Sequence, residues 1–258
     1  MEENNLYFLK PWLKILVKVL ATLCMLTFVI IYKKNADGNI LDIILIIVAI
    51  ILAVYVYIYF ILNKNKKYIY KGFQTETSRE LLNYYDNIFS KTNTKISDND
   101  AVLVSCKCLI CCFYGEFDKV KQMLNEINWN ARNPYVQSQE LLVKATVCYL
   151  ESENYEEGLR LSRLNEKLGN ISIPIPGKKI EQSISKTYII IGELLNGNLD
   201  NNLIESLEAY YKKSQIPHKL LIASCLAKVY LKMNMTEKAE DKILYCKQVA
   251  PYCKILFN

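Results

Sequence analysis

Histidine is almost absent from this chain: His218 is the only one in 258 residues. One imidazole is too few for the usual three-ligand metal sites, and no Ser or Cys stands beside it in a nucleophile motif. It follows Pro217 at a helix start, which predicts an exposed loop position. A phosphate-binding loop is missing too. Gly177-Lys178-Lys179 lacks the preceding glycines and the following Ser or Thr that such a loop needs. Glu156-Glu157, Glu237 and Glu240-Asp241 fall on outward faces of predicted helices, as solvating charges rather than a paired-carboxylate site. These gaps leave no enzyme constellation, no cofactor motif and no metal site.

Charge is the next thing lacking, in one place. Ile43–Leu62 contains no charged residue, and about 20 apolar residues suffice for a helix to cross the hydrocarbon core of a bilayer. A second apolar run, Trp12–Tyr32, precedes it. The two runs, 12–32 and 40–62, are separated by a short segment holding Ala36-Asp37-Gly38-Asn39, which reads as a tight turn. Together they predict a transmembrane helical hairpin within residues 1–72, because lipid offers no partner for open backbone groups. No small-x-small cleavage site follows the first run, and Leu23 before Cys24 is too large for a lipoprotein site.

The formal net charge of +6 is almost all lysine. Lys10, Lys14, Lys18, Lys33, Lys34, Lys64, Lys66, Lys67 and Lys71 lie in or beside the hairpin, where lipid headgroups and topology account for them better than nucleic acid does. The flanks hold more lysine than the loop. That places the chain in the cell membrane as a two-helix protein with both termini cytoplasmic. Tyr55, Tyr57, Tyr59 and Trp12 fit interfacial aromatic belts, and Asp42 sits near the outer end. Residues 63–74 read as a basic juxtamembrane linker, lying along the bilayer or extending the second helix. On the cytosolic side, the nine cysteines read as reduced core thiols rather than a disulfide framework. Cys106, Cys108, Cys111 and Cys112 form the densest group, but Cys106 points away from the others and no second ligand pair is near. Cys246 and Cys253 flank Pro251 at a helix end.

Residues 73–258 are read as a cytosolic all-α domain. Leu81, Leu82, Tyr85 and Ile88 have helical spacing after Thr75–Ser78, and Ser97-Asp98-Asn99-Asp100 is placed to cap the next helix. From Ala101 onward the apolar segments come in pairs. Ala101–Tyr114 is followed by Lys119–Ile127, and Leu141–Leu150 by a helix through Leu159, Leu161, Leu164 and Leu168. Ile184–Leu195 is followed by a helix through Leu203, Ile204, Leu207 and Tyr211, and Leu220–Leu231 by Thr236–Val249. Gly115, Glu153, Gly197 and Asn234 occupy the turns, at intervals of about 40 residues, which is a solenoid period. Asn133-Pro134, Ile173-Pro174-Ile175-Pro176-Gly177 and Ile216-Pro217 separate the pairs.

The last pair resembles a tetratricopeptide repeat. Leu226, Ala227 and Tyr230 in its first helix, Asn234 at the turn, then Ala239, Cys246 and Pro251 fall where that family has a Leu, a small residue, an aromatic, a turn Gly, two small residues and a closing Pro. The first pair is similar through Cys108, Gly115, Phe117 and Val120. The second is similar through Tyr149, Asn154, Tyr155 and Gly158, with Glu153 at the Gly place, and the third keeps Gly197. The resemblance implies an all-α fold: a transmembrane hairpin followed by a solenoid of about four helix pairs resembling tetratricopeptide repeats. A more general solenoid of helical hairpins has the same rhythm. It also implies a protein or peptide partner, held on the concave side lined by the first helix of each pair. Lys107, Lys144, Lys186 and Lys228, one per pair, are the candidate partner-binding residues, suited to an acidic or C-terminal carboxylate peptide. The expected function is a membrane-anchored adaptor or scaffold. The alternative is a small membrane component of a transport, secretion or toxin-immunity system, with the helical domain as its cytosolic cap. The sequence names neither the partner nor the oligomeric state.

Overall fold

A computed structural model describes residues 47, 48, 51, 55, 59, 63–88, 97–172 and 175–257. The chain divides into two compact units, Met1–Tyr68 and Ile69–Asn258. In the first unit the described residues are all helical, with Ile47, Val48, Ile51, Tyr55 and Tyr59 exposed. Trp12–Tyr32, the 33–39 connection and the rest of Ile40–Leu62 lie outside the described residues, and so does the transmembrane hairpin read from them. Among the described residues no helix is long and apolar enough to cross a membrane.

The second unit consists of helices joined by turns, with no strand among its described residues. Residues 69–73 are helical, and α1 (Arg79–Ile88) follows. Then come α2 (Asp98–Phe113) and α3 (Phe117–Asn125), α4 (Pro134–Leu150) and α5 (Tyr155–Ser172), α6 (Ile175–Leu195) and α7 (Asn201–Lys213), and α8 (His218–Lys232) and α9 (Thr236–Val249). Short 3-10 turns stand at Trp129–Ala131 and Lys254–Leu256. The four expected pairs are present, and local chemistry sets their ends. Ser97 caps α2 in a reciprocal capping box with Asp100. Asn133 caps α4 through the Val136 amide, with Pro134 in the first helical turn, and Asp200 caps α7 through the Asn202 amide.

The turns inside the pairs share a cause. Gly115, Gly197 and Asn234 have φ of 74°, 97° and 57°. Each stands just past a helix, and the next amide reaches back to the helix. Glu116 N–H bonds Cys111 O (2.9 Å), Asn198 N–H bonds Glu193 O (3.1 Å), and Met235 N–H bonds Tyr230 O (2.9 Å). This is the Schellman closure, and its left-handed residue favours Gly or Asn. The second turn departs from the pattern. Glu153 also has positive φ, at 50°, but it lies one residue later relative to its helix and closes no such bond; Tyr155 N–H bonds Glu153 O instead. The third pair also differs from its expected start. Ile175-Pro176-Gly177 does not stop a helix but opens α6, because the first turn tolerates proline.

The two helices of each pair have different surroundings. In α8 every residue from Leu220 to Ala227 is buried, and in α2 every residue from Cys108 to Phe113. A helix that is apolar on all sides belongs inside. The second helices bury only stripes: Val120 and Leu124 on α3, Ile204 and Leu207 on α7. First helices contact one another in order (α2–α4, α4–α6, α6–α8), and α5 packs on α6 and α7 on α8. The core is one cluster that runs from Phe73 to Leu256. The row of hairpins also closes on itself. Lys254–Leu256 contacts both α2 and α8, and Gln74 Nε2 donates to Gln248 O (2.8 Å) and Val249 O (2.7 Å) at the end of α9. The unit Ile69–Asn258 therefore holds its own continuous core, with its two ends joined.

Candidate functional site

The four candidate lysines have different surroundings. Lys107 on α2 is paired with Asp86 of α1, with its side chain only 16% exposed. Lys144 pairs with Glu140 one turn earlier on α4 (2.7 Å). Lys228 on α8 reaches Glu153 in the α4–α5 turn (2.9 Å). That ion pair and hydrogen bonding to Tyr155 hold Glu153 below the usual carboxylate range. Lys186 on α6 is exposed and has no carboxylate partner among the described residues. With α2 and α8 enclosed by the core, three of the four lysines serve the fold's own ion pairs.

His218 corrects its sequence reading. It is the first residue of α8, not a loop residue, and it is half-buried, edge-on to the Tyr188 ring of α6 at 6.3 Å. Burial pushes its imidazole down to about 4, so it is neutral at physiological pH. The cysteines of the second unit are thiols. Cys108, Cys111, Cys112, Cys225, Cys246 and Cys253 are buried, and burial raises each thiol above its ordinary range. Protonated, buried thiols are poor nucleophiles and poor metal ligands. Among the described residues, no group of three or more His, Cys, Asp or Glu is placed to hold a metal ion.

Two polar clusters went unread in the sequence. The first is internal. Tyr149 Oη donates to Tyr188 O (3.0 Å) and lies 2.9 Å from Ser162 Oγ, while Tyr188 Oη meets Thr146 Oγ1 at 3.0 Å. Asn165 Nδ2 donates to Ser138 O, and Ser185 Oγ donates to Asn165 Oδ1, both at 2.6 Å. All these side chains are buried, so the network fixes α4, α5 and α6 against one another without exposing a reactive group.

The second cluster lies between α7, α8 and α9. Glu208 Oε1 accepts from Tyr230 Oη (2.8 Å) and pairs with Lys242 Nζ (3.1 Å). Lys242 Nζ also stands 4.1 Å from the centre of the Tyr211 ring, and Lys219 Nζ lies over both Tyr211 (4.6 Å) and Tyr245 (5.1 Å). The signal for Lys242 was present: with Ala239, Cys246 and Val249 it falls on the buried stripe of α9, where a lysine needs a carboxylate. Beside this cluster is a groove of about 480 Å³ lined in part by Ile204, Glu208, Tyr230, Met233, Met235 and Lys238. Of its two carboxylates, Glu205 and Glu208, Glu208 is paired with Lys242. Burial first, then the Glu208 bond, raises the Tyr230 hydroxyl far above the physiological range. A second depression, on α5, is lined in part by Glu157, Arg160 and Arg163, with Arg160 held by Glu157 (2.6 and 2.7 Å) and Arg163 by Glu193 (2.6 Å). Both surfaces offer apolar and hydrogen-bonding contact. No family model matches this chain, no curated protein matches its sequence, and no solved structure matches its fold.

Proposed function

We propose that this protein is a membrane-anchored adaptor: a two-helix hairpin tethers a helical-repeat unit that binds a protein or peptide on the cytoplasmic side. One observation carries the reading. The second unit is a row of helix hairpins, three of the four closed by Schellman turns, and the residues that resemble a tetratricopeptide repeat, Ala227, Tyr230, Ala239 and Cys246, are buried between the paired helices. Small residues at such places let helices approach closely, and repeats of this kind present surface rather than catalysis. The anchor is supported by the charge-free run Ile43–Leu62, whose described positions are helical and leave Ile47, Val48 and Ile51 uncovered. Tethering raises local concentration, so a weak binding module is sufficient.

The test uses the full chain and the fragment 69–258. The full chain is expected to stay with membranes through alkaline carbonate extraction, and the fragment to be released. A C-terminal tag on the full chain is expected to be shielded from protease in intact cells. Crosslinked chains recovered with the full protein are expected with the fragment as well. A full chain extracted by carbonate, or a tag cleaved from outside, overturns the anchor. Partners retained only when the hairpin is present favour the alternative, a membrane component in which the apolar helices make the contact.

A further inference from the structure

We propose that one edge of the second unit, built from residues 69–74 and 244–257, rests on an anionic lipid surface. This extends the membrane tether proposed above, but it is tested separately from it. The edge brings together the two ends of the unit. Gln74 bonds Gln248 O and Val249 O. Tyr114 Oη donates to Gly72 O (3.0 Å) and Thr75 O (3.1 Å), and its ring is stacked on Phe73. On the other strand of the clasp, Ala250, Cys253 and Leu256 are fully buried and hold 250–256 down. The segments are thus fixed, and what they leave outside is built into the fold.

Their outward side chains are Tyr70 and Lys71 on the first segment, and Leu244, Lys247, Tyr252 and Lys254 on the second, all exposed. Tyr70, Leu244 and Tyr252 are 44%, 55% and 43% open although the core is close beneath them. Tyrosine with lysine is the composition of a membrane interface, the ring at headgroup level and the ammonium on lipid phosphate. Glu76 and Glu240 border the edge, and Asp241 is held by Lys242 at 3.4 Å. A second protein copy is the poorer occupant, because lysine is depleted from protein interfaces.

Chain length selects the occupant. The charge-free run ends at Leu62, residues 63–68 are helical and carry Lys64, Lys66 and Lys67, and the second unit begins at Ile69. Six helical residues rise about 9 Å. With the proposed tether in place, so short a connection leaves residues 69–74 within reach of an anionic headgroup layer.

The experiment uses the fragment 69–258, whose core is self-contained, with vesicles of phosphatidylcholine alone or mixed with phosphatidylserine. The fragment is expected to co-float with the anionic vesicles only, and to be released by salt. Each lysine at such a surface contributes roughly a fivefold factor, so K71Q/K247Q/K254Q is expected to weaken binding about 100-fold. K186Q/K212Q/K213Q, an equal loss of exposed charge elsewhere on the unit, is expected to bind like the parent. Unchanged urea midpoints establish that both variants are folded. A fragment indifferent to phosphatidylserine, or equal losses in the two variants, overturns the proposal. If the fragment ignores vesicles while the full chain resists carbonate, this edge fails and the tether stands.

Discussion

Replacing Gly158 with Ala tests whether the α4–α5–α6 contact is as tight as its geometry indicates. A Cβ on Gly158 would stand 2.3 Å from Cε1 and 2.8 Å from Cδ1 of Tyr149. The ring cannot swing away cheaply. Its hydroxyl is anchored on Tyr188 O and Ser162, and Gly192 closes the far side, where a Cβ would come 2.6 Å from Tyr149 Oη. Overpacking a filled core costs about 1–3 kcal/mol, and each hydrogen bond disturbed adds about 1 kcal/mol. Ala returns about 1 kcal/mol of helix propensity. The net expectation for Gly158→Ala is a loss of about 2–3 kcal/mol, or a melting temperature lower by roughly 5–10 °C. Urea unfolding of the 69–258 fragment, followed by circular dichroism, measures it. Tyr149→Phe alone is expected to cost about 1 kcal/mol. Because it frees the ring to tip, the double variant should lose less than the sum of the two singles. A Gly158→Ala protein as stable as the parent, or more so, refutes the tight contact: helix propensity would then be the only effect acting.

Three further outcomes are expected from the same fragment. Gly197→Ala has open space around its Cβ but a φ of 97°, so it is expected to lose about 1–2 kcal/mol from backbone strain alone; Glu153→Gly, at φ 50°, is expected to cost less than about 1 kcal/mol, the exposed ion pair to Lys228 being worth little. Urea midpoints of the two variants read the contrast, and equal losses would remove the strain argument. His218 titrates near 4 when folded and near 6.5 when unfolded. Below about pH 6.5 the unfolded chain takes up a proton that the folded one refuses, so stability falls with pH and levels off below about pH 4. The size is on the order of 2 kcal/mol with the open side of the ring discounted, and His218→Gln should flatten that part of the pH profile. Gln74→Ala leaves two carbonyls at the end of α9 without their side-chain donor. It is expected to cost about 1 kcal/mol and to speed amide exchange in 250–257, which hydrogen-exchange mass spectrometry resolves.

The sequence by itself settled the helical class of the second unit, the pairing of its helices and the places of its four turns. Those features are local. A helix that must reverse needs a left-handed residue just past its end, and Gly115, Gly197 and Asn234 are legible as such without knowing what lies beside them. The cap at Ser97 is legible for the same reason. Six of the eight described cysteines are in the core, as their places on apolar helical stripes indicate, while Cys106 and Cys148 are half-buried. The fates of Lys107, Lys228 and His218 were decided only by the tertiary structure. Asp86 and Tyr188 come to them from other helices and Glu153 from the α4–α5 turn, and no spacing along one helix encodes a partner so far away in sequence. The same holds for the clasp at Gln74 and for the Glu208–Lys242 pair. The stripe on α9 could say that Lys242 needs a carboxylate, but only the packing of α7 against α8 and α9 determines which one. Burial is cooperative: a side chain's charge, exposure and reach depend on every element that closes over it, and that closure exists only once the hairpins have stacked and the two ends of the unit have met.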